Sequence, residues 1–173
     1  MKPFTLVYPT SSNPPTIGHA DILRRAAEKF DCVYWVAAVN PFKSYLFPLA
    51  ERMAMMLEYI EHYQLKNVVL DHHEGVMMRY AKSKGAAFLL RGLRNATDFQ
   101  FEFDMASGNR GIEEKIETLC IFADPVLSCL SSAMVRELAV LGENFGRYVI
   151  PSVEKRIQDF FAANPSLLTK KLT

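Results

Sequence analysis

Five short apolar runs, each separated from the next by residues that recur at helical spacing, restrict this chain to few folds. The runs occupy 4–8 (FTLVY), 33–39 (VYWVAAV), 68–70 (VVL), 87–90 (AFLL) and 119–122 (LCIF). They are almost continuously apolar rather than alternating, the pattern of strands covered on both faces. Between the first two, Leu23, Ala26, Ala27 and Phe30 form a helical stripe, and Met53, Met56, Leu57 and Ile60 form a second after Pro48. Further stripes join Val76, Met77, Tyr80 and Ala81, then Phe99, Phe103 and Ala106, then Val135, Leu138 and Ala139. A last stripe, Val153, Ile157, Phe160 and Phe161, follows Pro151. Such stripes, the methionine-rich one included, read as faces turned to a core.

Strand–helix alternation predicts an α/β fold, a Rossmann-like parallel sheet with helices on both faces, in a single domain spanning 1–173. Its end, about 164–173 with Lys170 and Lys171, is expected to be a mobile tail. A formal net charge of +1 gives no electrostatic footprint for nucleic acid. No apolar run approaches the roughly 20 residues that cross a bilayer, and run 4–8 is too short for a signal-peptide core, so no membrane partner and a cytoplasmic location are expected. Cys32, Cys120 and Cys129 are odd in number and form no C-x-x-C pair, against a disulfide framework or a zinc site. Each lies in or beside an apolar run, where burial as a small hydrophobe in a reducing compartment is the expectation. His62, His72 and His73 show no metal-ligand spacing and are expected in surface loops; no metal ligand is assigned.

In a doubly wound sheet, ligands bind outside the carboxyl ends of the strands. The first strand is followed by Thr10-Ser11-Ser12-Asn13-Pro14-Pro15-Thr16-Ile17-Gly18-His19, a polar, proline-rich loop running into a helix start. Helix N-termini attract anions, Gly18 permits close approach, and His19 is placed to face what binds. Asn40-Pro41-Phe42-Lys43 follows the second strand and brings a lysine. Arg91-Gly92-Leu93-Arg94 follows the fourth, and two arginines around a glycine suit phosphate. Asp98 and Glu102, four apart, either contribute to the site or pair with those arginines. Ser131 and Ser132 open a helix after the fifth strand, as caps, as phosphate donors, or both. Four such loops point to a polyphosphate pocket.

These same residues carry a resemblance. Thr16-x-Gly18-His19 resembles the (H/T)-x-G-H signature of the nucleotidyltransferase superfamily. Arg91-Gly92-Leu93-Arg94-x-x-x-Asp98-Phe99-x-x-Glu102 resembles a block of the bacterial phosphopantetheine adenylyltransferases. Leu130-Ser131-Ser132-x-x-Val135-Arg136 is similar to that family's nucleotide motif, and Leu49-x-Glu51-Arg52 to its segment after the lysine loop. The resemblance runs from about Phe4 to Phe161. It implies transfer of AMP from ATP to 4′-phosphopantetheine, with Mg²⁺ as ATP's partner, in a homo-oligomer that is commonly a hexamer. By matched position it implies His19, Lys43 and Arg94 as catalytic residues, His19 stabilising the transferring phosphoryl group. It implies Lys43 and Arg91 on the acceptor phosphate, Ser11 on acceptor and ATP, and Met77 on the pantetheine arm. For the nucleotide it implies Ser11, Ser12, His19, Gly92, Leu93, Arg94 and Glu102. It adds the stretch Leu127, Ser128, Cys129, Leu130, Ser131, Ser132 and Ala133. The first loop departs from the family's Gly-(T/S)-Phe-Asp-Pro: Thr10 stands for glycine, Ser12 for an aromatic, Asn13 for an acid. Ala133 stands for a serine and Leu127 for a frequent tryptophan. These departures leave open a different phosphorylated acceptor, such as nicotinate mononucleotide or a sugar or polyol phosphate, or a non-catalytic paralogue that binds ATP or coenzyme A.

Overall fold

Each apolar run is a strand in the computed structural model, which describes residues 4–168; Lys170 and Lys171 lie outside the described residues. In chain order the strands and helices are β1 (Thr5–Thr10), α1 (Ile17–Ala27), β2 (Cys32–Val39), α2 (Leu49–His62), β3 (Val68–Glu74), α3 (Met77–Ser83), β4 (Phe88–Leu93), α4 (Ala96–Ile112), β5 (Glu117–Phe122), α5 (Ser132–Leu141) and α6 (Pro151–Ala163). The sheet has the order β3-β2-β1-β4-β5, all pairs parallel. The direction of winding therefore reverses between β1 and β4, which places the ligand crevice at their carboxyl ends.

That crevice is opened by a proline. Thr5 accepts the Ala87 N–H, so Thr5, Val7 and Pro9 turn their backbone groups toward β4. Pairing of β1 with β4 covers only Leu6↔Phe88 and Val7↔Leu89. Pro9 has no N–H to continue it, although the register with β2 runs on to Thr10↔Ala37. The strands therefore part just where the chain leaves the sheet after β1 and β4.

The larger core lies on one face, where α1, α2, α5 and α6 pack Leu23, Met55, Met56, Val135, Val153 and Ile157 against Leu6, Val33, Trp35 and Leu90. A smaller cluster on the other face joins Val7, Val36 and Leu89 to Met78, Tyr80 and Ala81 of α3. Val76, expected in the α3 stripe, is instead its exposed N-cap, and Met78 takes the core position. In α2, Leu57 is exposed and Tyr59 buried, a turn of the stripe by part of a residue step. The α4 stripe is the main departure: Phe99 and Phe103 are 53% and 59% exposed, and Glu102 is the buried side chain. This helix reaches the body through its polar residue.

His72 and His73 are not in loops but in β3, which runs to Glu74. As an edge strand it tolerates polar side chains, because part of its surface faces water. The cysteines also depart from expectation: Cys120 and Cys129 are exposed and Cys32 half-buried. Cys120 sits on β5, the other edge, and Cys129 in the loop beyond it. No helix among the described residues is long and apolar enough to cross a membrane.

Candidate active site

The loop after β1 is the hub of the site, and its shape follows from where its carbonyls go. Guanidinium groups from three elements donate to alternate residues of the β1 end and this loop: Arg91 to Pro9 at 3.2 Å, Arg52 to Ser11 at 2.6 Å and Arg136 to Asn13 at 2.5 Å. The Ser132 hydroxyl donates to Pro14 at 2.7 Å. The Asn13 side-chain oxygen accepts the Phe47 N–H at 3.0 Å and ties the lysine loop to the same hub. Backbone carbonyls are thus turned into cationic and hydroxyl partners drawn from β4, α2 and α5. Three guanidiniums converging on one loop raise the potential of the rim, which favours anions.

Thr10 proves to be strand, not loop. It is extended at the end of β1, and its Oγ1 accepts the Trp35 indole N–H at 3.0 Å while contacting the Ser12 hydroxyl at 2.6 Å. The left-handed backbone falls at Ser12, with φ of 42°, and that side chain is buried. Ser11, between them, is exposed at the rim.

His19 stands one turn into α1. The Thr16 backbone N–H donates to its Nδ1 at 3.1 Å, with the Thr16 hydroxyl 2.9 Å away. A backbone N–H can only donate, so Nδ1 carries no proton and the neutral ring holds it on Nε2. Burial, with the Arg94 cation second, lowers the imidazole pKa to about 4. The ring is therefore a neutral donor near pH 7. Arg94 grips Asp98 through Nε at 2.8 Å and Nη2 at 3.1 Å, and its Nη1 donates to the Leu130 carbonyl at 3.0 Å. This contact joins β4's end to the segment before α5.

Arg91 is held by Glu102, Nε to Oε2 at 2.6 Å and Nη2 to Oε1 at 2.5 Å. Both acidic residues in this block thus pair with its arginines. Gly92 packs closely: an added Cβ would sit 3.3 Å from the Ile22 side chain, which would have to give way by a few tenths of an ångström. Leu93 beside it is buried. Lys43 closes a tight turn, its N–H bonded to the Asn40 carbonyl at 3.0 Å, and its exposed ammonium has no partner among the described residues.

Ser131 caps α5 by accepting the Met134 N–H at 3.1 Å. Ser128 bonds the Pro125 carbonyl at 2.8 Å, Leu127 ends a short 3-10 turn, Cys129 is exposed and Leu130 buried. Ala133 lies exposed in the first turn of α5. Met77 begins α3 at the carboxyl end of β3. Arg91 thus lies within β4 rather than after it, Arg94 just beyond it and His19 in the first turn of α1; with the Lys43 turn and the α5 N-terminus they stand at one end of the sheet, where Arg91, the lysine loop and α5 are tied to residues 9–14. Among the described residues no group of three acidic, histidine or cysteine side chains is placed to hold a metal.

Arg52 and Arg136 stand in motifs that carry the resemblance but received no individual role there, and Tyr45 stands in none. A further signal marked Arg52: it shares the helical spacing of buried Met55, Met56 and Tyr59, a charge in an apolar stripe.

Residues 7–138 match the cytidylyltransferase-like family. A phosphopantetheine adenylyltransferase of Herpetosiphon aurantiacus is 41% identical, over 83% of this chain and 86% of its own. One from Caldanaerobacter subterraneus is 34% identical, over 90% of this chain and 96% of its own. Plasmodium falciparum nicotinic acid mononucleotide adenylyltransferase complexed with NaAD shares the fold at a TM-score of 0.69 and 14% identity, covering 92% of this chain and 97% of its own. With both the family match and relatives of this identity and coverage, the chain belongs to the phosphopantetheine adenylyltransferases of the cytidylyltransferase-like family.

Proposed function

We propose that this chain transfers the adenylyl group of ATP to 4′-phosphopantetheine, giving dephospho-coenzyme A and pyrophosphate, a step of coenzyme A biosynthesis. The observation that carries the reading is the rim itself: loops after β1, β2, β4 and β5 tied into one cationic ring whose carboxylates, Asp98 and Glu102, are engaged by arginines. The acceptor's phosphate oxygen attacks the α-phosphorus of ATP, the bond to the β-phosphate oxygen breaks, and pyrophosphate leaves. A phosphate nucleophile is already ionised near neutral pH, so alignment of repelling anions matters more than a base.

In this reading Lys43 and Arg91 hold the acceptor phosphate, Ser11 lies between acceptor and ATP, and Met77 touches the pantetheine arm. The His19 Nε2–H and Arg94 face the charge that builds on the α-phosphate. Gly92, Leu93 and the segment from Leu127 to Ala133 take the nucleotide. Ser12 and Glu102 act from behind, one with its hydroxyl on Thr10, the other by holding Arg91. Mg²⁺ would be held by ATP's phosphate oxygens and would neutralise part of their charge; Asp98 and Glu102 are already committed.

A homo-oligomer in the cytoplasm completes the reading. Its support is α4, which exposes Phe99, Phe101, Phe103, Met105 and Ile112, a surface that favours cover by a second copy. The test is incubation with Mg-ATP and a panel of phosphorylated acceptors while pyrophosphate is followed. Release with 4′-phosphopantetheine alone is expected. Release only with nicotinate mononucleotide or a polyol phosphate would replace the acceptor, and ATP binding without release would make the chain a non-catalytic binder.

A further inference from the structure

Within the stripe that α2 turns to the core, Arg52 is 1% exposed. Burial lowers its pKa, yet a guanidinium keeps its charge near neutral pH. Among the described residues no carboxylate pairs with it, and its neighbour Glu51 is taken by Arg156. The charge is met by the carbonyls of Ser11 at 2.6 Å and Ala38 at 3.3 Å and by the Tyr45 ring, 4.1 Å from the guanidinium carbon. Its Nε has no hydrogen-bond partner among the described residues. A buried cation without a counter-ion is costly, and an apolar side chain of similar length would pack at less expense. A position that disfavours stability points to a role in the site.

What Arg52 touches defines that role. Ser11 is the exposed residue of the β1 loop, and Ala38 lies near the end of β2. The Tyr45 hydroxyl accepts the Asn40 N–H at 2.8 Å. Asn40 in turn accepts the Phe42 N–H on its side chain at 2.9 Å and the Lys43 N–H on its carbonyl at 3.0 Å. Ser11, Arg52, Tyr45 and the turn that carries Lys43 thus form one chain of contacts.

We propose that Arg52 is a positioning residue that sets the Lys43 turn against Ser11 and adds a buried positive charge beneath the acceptor's phosphate. The proposal rests on the adenylyl-transfer reading. It differs from a packing role in its consequence: acceptor binding and stability should respond in opposite senses to loss of the charge.

The test uses the full chain with Arg52→Met, Arg52→Lys and Tyr45→Phe. Acceptor binding is read both as KM in pyrophosphate release and directly, by titrating 4′-phosphopantetheine against the emission of Trp35, whose indole N–H lies on Thr10, the last residue of β1, next to Ser11. Arg52→Met should raise acceptor KM and Kd about tenfold, leave ATP affinity within about twofold, and melt no lower than wild type. Arg52→Lys should fall between the two, and Tyr45→Phe should weaken the acceptor a few-fold. A lower melting temperature with unchanged acceptor constants overturns the proposal, as does equal weakening of acceptor and ATP. If Arg52→Met does not fold, the other two variants decide, and wild-type acceptor constants in both overturn it. Absence of pyrophosphate release from wild type would defeat the functional reading, while the Trp35 titration would still judge Arg52.

Discussion

A neutral imidazole gives a hydrogen bond without bringing a full charge, and the surroundings of His19 keep it in that form. Its Nδ1 is occupied by a backbone N–H, and its pKa lies near 4. His19→Ala should lower turnover about 10²- to 10³-fold while ATP affinity changes little if, as proposed, the bond is made to charge that appears in the transition state. Equal losses in both would remove that role. The low pKa also shapes stability. The unfolded ring takes its proton near pH 6.5 and the folded one near 4, so stability should fall as pH drops through that window. His19→Gln should flatten this part of the stability–pH curve by up to about 3 kcal/mol, read from denaturant midpoints at pH 4 and 7. An unchanged curve would mean that another group titrates there. Lys43 differs in kind: it is exposed and, among the described residues, unpaired. Lys43→Ala should raise acceptor KM about tenfold or more with little effect on stability, and an unchanged KM would count against its assignment.

At the level of elements, the strands and most helices were legible because their cores are local patterns. Trp35 and Val33 face the same side for the reason any strand alternates, and Met55, Met56 and Tyr59 for the reason any helix repeats. Met55, fully buried, should cost about 3 kcal/mol on replacement by alanine, measured by urea unfolding. A loss below about 1 kcal/mol would show that α2 can collapse around the gap. The α4 stripe misled for a physical reason: periodicity shows that a helix has an apolar face, not what covers it. Here α4 is anchored through Glu102 on Arg91 and leaves its phenylalanines outward. The β3 histidines misled similarly, since polar side chains suggest a loop but suit an edge strand equally well.

For the whole molecule, the exposed apolar side chains on both sides of α4 and the parted strands β1 and β4 are the two features with consequences beyond their own residues. If copies meet on α4, Phe101→Glu combined with Phe103→Glu should reduce the mass seen by light scattering to that of one chain. A wild type that is already monomeric at working concentration would end that reading. The opening between β1 and β4 concentrates the loops at the switch point, and there Arg91 bonds the carbonyl that Pro9's missing pairing leaves free.

From residue order alone came the doubly wound class and the candidates His19, Lys43, Arg91, Arg94, Ser131 and Ser132 for a site at the carboxyl end of the sheet. Those conclusions rest on short-range periodicity and on motif spacing, which a linear chain displays. The arginine web was decided only in three dimensions. Its bonds join residues 41, 82 and 123 apart, Arg52 to Ser11, Arg91 to Pro9 and Arg136 to Asn13. A guanidinium finds a carbonyl at such separation because packing of whole helices and strands brings the two together, and no local pattern records that meeting.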